Sequence, residues 1–185
     1  MERVVRRVMD RRALLRLGAL GLTGAALARA GAAQAAQQPS ELDVDVWIPP
    51  DIGRNETWVA VNLSQQAAVG MYGRGWVRRA WVTTGDDGWN TPVGQFRVLW
   101  RVYNETMTSA AIGIPAGSPD SYSLSDVLFT QYFTYEGHAL HLNYWRPDWV
   151  FGNARTSHGC VGMRYDDAAF FWRHVGLGNR VVVFS

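Results

Sequence analysis

The sequence predicts a mainly β domain, a sandwich or open barrel, with one short helix near its C-terminal end. Three observations carry that prediction. Beyond residue 40, apolar side chains recur at every second position in several short segments, the period of a half-buried strand. Pro49-Pro50 and Gly73-Arg74-Gly75 punctuate those segments as turns do. Only Ala168, Phe171, Trp172 and Val175 keep the i, i+3, i+4, i+7 spacing of a helix face.

In chain order, Leu42, Val44, Val46 and Ile48 alternate with Glu41, Asp43, Asp45 and Trp47 and predict a first strand, stopped at Pro49. Trp58–Leu63 and Ala67–Tyr72 follow, and the Gly73-Arg74-Gly75 turn leads into Trp76–Thr83 as a hairpin. Phe96, Val98, Trp100 and Val102 alternate again as one strand. Residues 104–125 are polar, with Ser and Gly, and are expected to be irregular. Val127–Thr134 and His138–Leu142 predict two more strands. Asp166 or Asp167 is the expected cap of the helix, Gly176 and Gly178 suit its end, and Arg180–Phe184 closes the chain as a strand. The nine tryptophans are expected mostly in the β core, where broad aromatic faces pack well, with Trp145 and Trp149 in a loop as exceptions.

Residues 1–35 have the composition of an export signal. Arg3, Arg6, Arg7, Arg11 and Arg12 precede an apolar Ala/Leu/Gly run, and Ala30-Gly31-Ala32 and Ala33-Gln34-Ala35 are small-residue motifs of the cleaved type. Arg11-Arg12 followed by Ala13-Leu14-Leu15 resembles a twin-arginine signal, although Asp10 stands where Ser or Thr is usual. The apolar run, about 15 residues, is short of the roughly 20 that a membrane span needs, so the membrane is expected to matter only during export. Residues 36–42 are a polar linker, and 43–185 are the expected domain. All 18 basic residues are Arg, and the whole chain carries a net charge of +2. Beyond residue 35 there remain 11 basic and 14 acidic side chains, a net charge of −3. Nucleic-acid binding therefore has no electrostatic support.

The chain has one cysteine, Cys160, inside Ser157-His158-Gly159-Cys160-Val161. A lone cysteine cannot form an internal disulfide. A catalytic one needs a base to take its proton, and imidazole suits because its pKa lies near neutrality. Four histidines are candidates: His138, His141, His158 and His174. On an extended strand His158 would share a face with Cys160, while His138 and His141, three apart, would face opposite sides, so only one is expected to meet the thiol. His174 lies on the helix, where solvent is the expected surrounding. Gly159 gives an unhindered backbone whose N–H groups can turn toward a developing oxyanion. A metal site from His141, His158 and Cys160 is chemically conceivable, but the paired Cys-x-x-Cys or His-x-x-x-His spacing is missing, and no metal or cofactor is expected.

His141, a gap of 15 residues, and then Ser157-His158-Gly159-Cys160-Val161 resembles the L,D-transpeptidases of bacterial cell walls. The resemblance extends to Asp45-Val46-Trp47-Ile48 and Val61–Gln66. It also takes in Thr84-Gly85 with Thr91-Pro92-Val93-Gly94-Gln95-Phe96, and the segment Leu140-His141 with Tyr144-Trp145. It covers about residues 43–185, and one position departs: Gly162 stands where most relatives carry Asn or Arg.

The resemblance implies that Cys160 is the nucleophile and His141 its base, with His158 and Ser157 at the substrate and the Gly159 and Cys160 N–H groups on the oxyanion. Glu136 and Gly137 would line the cleft. Because Leu142 follows His141, a backbone carbonyl would orient the imidazole in place of the aspartate of a Ser-His-Asp triad. The implied partners are peptidoglycan stem peptides, a tetrapeptide donor and an amine acceptor, with carbapenem-type β-lactams as inhibitors and the periplasm or cell wall as location. Release of D-Ala and 3→3 crosslinking is the implied reaction. Hydrolysis through the same thioester, or a catalytically dead wall-binding module, are the alternatives. Gly162 is expected to open the pocket wall, so that Gly162→Asn would alter substrate or inhibitor preference.

Overall fold

The computed structural model describes residues 43–185, and the export-signal and linker expectations lie outside the described residues. The chain forms β1 (Thr57–Asn62), β2 (Ala67–Tyr72) and β3 (Gly75–Thr83), followed by β4 (Gly94–Arg97) and β5 (Trp100–Thr108). Next come β6 (Ser123–Tyr132), β7 (Ala139–Leu142), β8 (Val161–Met163), α1 (Tyr165–His174) and β9 (Arg180–Phe184). Short 3₁₀ turns lie at Ser109–Ile112 and Asp148–Val150. All nine strands join one sheet in the order β4-β9-β1-β2-β3-β8-β7-β6-β5.

The sheet is mainly antiparallel, but β9 runs parallel to β1 and β8 parallel to β7. Its central strands are apolar on both sides because both faces are covered, a pattern that alternation alone does not reveal. On one face Val59, Val61, Val181 and Val183 join Leu140, Val161, Met163, Phe133 and the Ala168 and Phe171 side chains of α1. On the other, Trp58, Ala60, Ala67, Val69 and Val182 are covered by Val44, Val46, Ile48 and Ile52. Each fully buried Val contributes roughly 1.5–3 kcal/mol of transfer free energy.

The predicted first strand is therefore an extended arm and not part of the sheet. Its alternation is real, with Val44 buried between exposed Asp43 and Asp45. Side chains, not a strand, satisfy its backbone: Asp45 N–H donates to Gln65 Oε1 (2.9 Å) and Asn62 Nδ2 donates to Asp45 O (3.1 Å).

The predicted strand over Phe96–Val102 is broken at Val98-Leu99. Val98 N–H bonds to Asn179 O (2.9 Å) on the β9 side, and Leu99 N–H bonds to Tyr132 O (2.8 Å) on the β6 side. One peptide step thus carries the chain between the two edge strands, bringing β4 and β5 together and wrapping the sheet. Of the stretch expected to be irregular, 104–108 and 123–125 instead extend β5 and β6 as a polar ribbon, while 109–122 is a 3₁₀ turn and loop as expected.

Two smaller expectations also change. Arg164, not an aspartate, is the N-cap residue of α1, and Asp167 is drawn to Arg78 of β3 in a 2.6 Å ion pair. Of the tryptophans, Trp58 is wholly buried, its Nε1 donating to Gly73 O (2.8 Å). Trp47, Trp76 and Trp89 are exposed along with Trp149, so the core is built mainly from Val and Ala.

Candidate active site

A parallel strand pair needs a crossover of a dozen or more residues. Between β7 and β8 that crossover is residues 143–160, which accounts for the long gap between His141 and the Ser-His-Gly-Cys segment. In the ladder His141 pairs with Gly162. Cys160 lies two residues before Gly162, so the crossover returns the thiol to the strand beside the histidine. His141 and Cys160 both line a cleft of about 560 Å³, together with Glu136, Gly137, Ser157 and His158.

His141 is 3% exposed, and its Nδ1 donates to Leu142 O at 2.7 Å. That bond fixes the tautomer and leaves Nε2 as a proton acceptor. Trp145 stacks on the ring at 5.7 Å and 16°. Burial lowers the His141 pKa to about 4 against the opposing hydrogen bond to Leu142. Burial likewise pushes the Cys160 thiol up to about 11, with the Ala139 N–H opposing and the charge of Glu105 adding to the rise. Both shifts favour the uncharged forms at neutral pH, a thiol directed at Gly137 O (3.5 Å) and a neutral imidazole.

The loop carrying the thiol is pinned from several sides. Ser157 Oγ donates to Cys160 O (2.6 Å) and accepts the Gly159 N–H (3.2 Å). Gly159 has φ +103, a region open to glycine, so residues 158–160 are not the extended strand expected. A Cβ there would lie 2.5 Å from His138 Cδ2. His138 therefore packs behind the cysteine loop, its Nδ1 within 2.8 Å of Thr134 Oγ1, and it is absent from the cleft.

The Thr-Gly…Thr-Pro segment supplies the remaining support. Gly85 N–H donates to Thr91 Oγ1 (3.0 Å), and Thr91 Oγ1 donates to Gly159 O (2.9 Å). Asp86 N–H bonds to Ser157 O (2.9 Å), and the Thr156 N–H to Thr84 O (3.0 Å). His158 lies between Trp89 (4.9 Å) and Tyr122 (5.2 Å). His174, expected in solvent, is partly buried, stacks on Phe170 at 5.2 Å and donates from Nε2 to Met71 O.

Several cleft residues had no motif to announce them. Tyr132 donates to both oxygens of Glu105 (3.1 and 3.0 Å) and stacks on Trp100 at 4.5 Å. Burial, then the Glu105 carboxylate, raises the Tyr132 pKa. Trp100 and Tyr132 fell in segments read as strands, but Glu105 lay in the stretch expected to be irregular, so nothing showed that the three would meet. Asn143 was missed although it lies two residues beyond His141, on the same face of an extended chain. Gly162 does not open the pocket wall: a Cβ there would lie 2.5 Å from Asn143 Nδ2 and 2.9 Å from Asn143 Cβ. Among the described residues, no three His, Cys, Asp or Glu side chains are grouped as a metal ion would need.

The sequence profile of YkuD, the L,D-transpeptidase catalytic domain, matches residues 56–183. The chain belongs to this family. The match begins just before β1 and ends inside β9, so it takes in every strand of the sheet. Probable L,D-transpeptidase 3 of Mycobacterium tuberculosis is 34% identical over 93 residues, which are 50% of this chain and 34% of that protein. The chain thus spans about a third of the length of that curated relative.

Among solved structures, an L,D-transpeptidase from Mycobacterium smegmatis superposes with a TM-score of 0.66 at 26% identity, covering 70% of this chain and 59% of the other. L,D-transpeptidase 3 from Mycobacterium tuberculosis, in complex with a faropenem-derived adduct, gives 0.65 at 25%, with 70% and 60% covered. Family membership and fold agree with the mainly β domain carrying one helix.

Proposed function

We propose that this chain is an L,D-transpeptidase acting on peptidoglycan stem peptides, with Cys160 as nucleophile and His141 as its base. The observation that carries this reading is the Nδ1 bond from His141 to Leu142 O, which leaves Nε2 as acceptor in the cleft that also holds the thiol. His141 takes the thiol proton as Sγ attacks the carbonyl between the third stem residue and the terminal D-Ala. A tetrahedral oxyanion forms, and the same proton passes to the leaving D-Ala amine as the C–N bond breaks. An amine of a second stem, losing its proton to His141, then attacks the thioester and releases the thiol, leaving a 3→3 crosslink.

The Gly159 N–H is held by Ser157 Oγ, so the Cys160 N–H is the oxyanion donor we assign. Ser157 serves by fixing the loop, and His158, Glu136 and Gly137 contact substrate along the cleft wall. Burial favours the neutral form of both groups, so proton transfer accompanies attack. A cell-wall location reached through the signal of residues 1–35 fits this chemistry.

Incubating the chain with a disaccharide-tetrapeptide and resolving products by mass spectrometry tests the reading. Loss of D-Ala with formation of a crosslinked dimer, abolished by Cys160→Ala, is expected. A folded protein that leaves the tetrapeptide intact would refute it, and the free tripeptide as sole product would assign water as acceptor.

A further inference from the structure

Gly162 and Asn143 form a packed pair that the reaction as described leaves unused. The ladder sets His141 opposite Gly162, and Asn143 N–H bonds to Met163 O (2.8 Å), extending the pairing by one residue. His141 and Asn143 are two apart on one chain and Gly162 lies opposite His141 on the other, so these three fall on one face, and His141 and Asn143 line the cleft that also holds Cys160. Glycine leaves a gap on that face, and the Asn143 side chain fills it.

Asn143 is only 2% exposed, yet its Oδ1 is enclosed with no hydrogen-bond partner. Native folds seldom bury an amide oxygen in that state unless a ligand or a functional role accounts for it. The same residue lines the cleft with Cys160 and His141. Its carboxamide is uncharged and offers both an acceptor and donors, the complement of a peptide group's N–H and C=O. It therefore suits neither an ammonium nor a carboxylate in particular.

We propose that Asn143, seated over Gly162 beside Cys160 and His141, is a positioning residue that hydrogen-bonds a peptide group of the acyl donor next to the scissile carbonyl. This rests on the stem-peptide reading above. Gly162 is then the residue that makes room for the amide, and the two positions act together in setting substrate preference.

The test measures binding of a tetrapeptide stem to Cys160→Ala by calorimetry, with and without Asn143→Leu, which has nearly the same size and no polar atoms. Asn143→Ala serves as a second, smaller variant, and thermal melting checks that each is folded. Loss of one such hydrogen bond is expected to weaken the Kd by about tenfold. Alkylation of Cys160 by iodoacetamide, measured with Asn143→Leu in the otherwise unchanged protein, should stay within about twofold, a readout that a distorted site would move.

An unchanged Kd in a folded variant overturns the proposal, as does a loss of affinity accompanied by an equal loss of Cys160 alkylation. The two failures are distinguishable. Equal binding by parent and variant sinks this inference alone, whereas a Cys160→Ala parent that binds no stem peptide sinks the substrate reading and the inference with it.

Discussion

Adding one methyl group at Gly162 is expected to cost this fold more than it alters its chemistry. In Gly162→Ala the new Cβ would meet Asn143 Nδ2 at 2.5 Å, Asn143 Cβ at 2.9 Å and Thr83 Cγ2 at 3.0 Å. The amide end of Asn143 can swing, but its Cβ cannot move without the strand. Thr83 is equally fixed, its Oγ1 donating to Ala154 O (2.7 Å) and lying 3.0 Å from Thr156 Oγ1. All of β8 is buried and sits between β3 and β7, so no strand edge is free to give. Overpacking costs about 1–3 kcal/mol, and these fixed neighbours put Gly162→Ala in the upper half of that range. For a domain of this size that is a Tm lower by roughly 5–10 °C.

Urea melts of wild type, Gly162→Ala, Asn143→Gly and the double variant form a cycle. Because the clash is between these two residues, the double variant should recover at least about 1 kcal/mol relative to additivity. A Gly162→Ala protein within about 0.5 kcal/mol of wild type, or a cycle without coupling, would refute this account. The same packing reverses the expectation drawn from sequence for Gly162→Asn. That side chain meets an occupied space, so lost stability should precede any change in inhibitor profile.

Replacing Thr91 by Val leaves the Gly85 N–H and the Gly159 O without their buried partner. It should cost about 2–3 kcal/mol by chemical denaturation and slow Cys160 acylation; normal stability would mean that water substitutes. His141 has its pKa lowered from 6.5 to about 4, so its contribution to stability is present above about pH 6.5 and is lost as pH falls toward 4, by up to about 3 kcal/mol. Cys160, raised from 9.0 to about 11, contributes stability that is present below pH 9 and lost as pH rises toward 11. Melts of His141→Gln and Cys160→Ala across pH should remove the acid and alkaline slopes respectively, and unchanged slopes would argue against the neutral pair. A carbapenem should leave one adduct per chain by intact mass, absent in Cys160→Ala because no second thiol exists; a folded wild type without an adduct would argue against a working nucleophile.

What the sequence determined alone was whatever depends on local period and on spacing along the chain. Short apolar runs bounded by turn residues placed β2 and β9 at their observed limits, and the helix-face spacing located α1. Which histidine meets Cys160 was not legible from period or spacing alone; the resemblance to the L,D-transpeptidase pattern singled out His141, and the parallel β7–β8 crossover supplies the physical reason for its gap. The tertiary structure decided what depends on partners far away in the chain. Alternation at Val44–Ile48 reports a buried side, but whether its backbone joins a sheet depended on Asn62 and Gln65 being there to receive it. The two ends of the polar run, 104–108 and 123–125, looked irregular because a ribbon walling a cleft has little apolar surface to hide, so no period marked them. The helix already begins at Tyr165, which puts Asp166 and Asp167 inside its first turn, and Asp167 is turned to Arg78, 89 residues earlier. At Gly162 the sequence showed a missing side chain. That the space is filled by Asn143 followed only from two parallel strands in register, because volume is shared across a sheet and not along a chain.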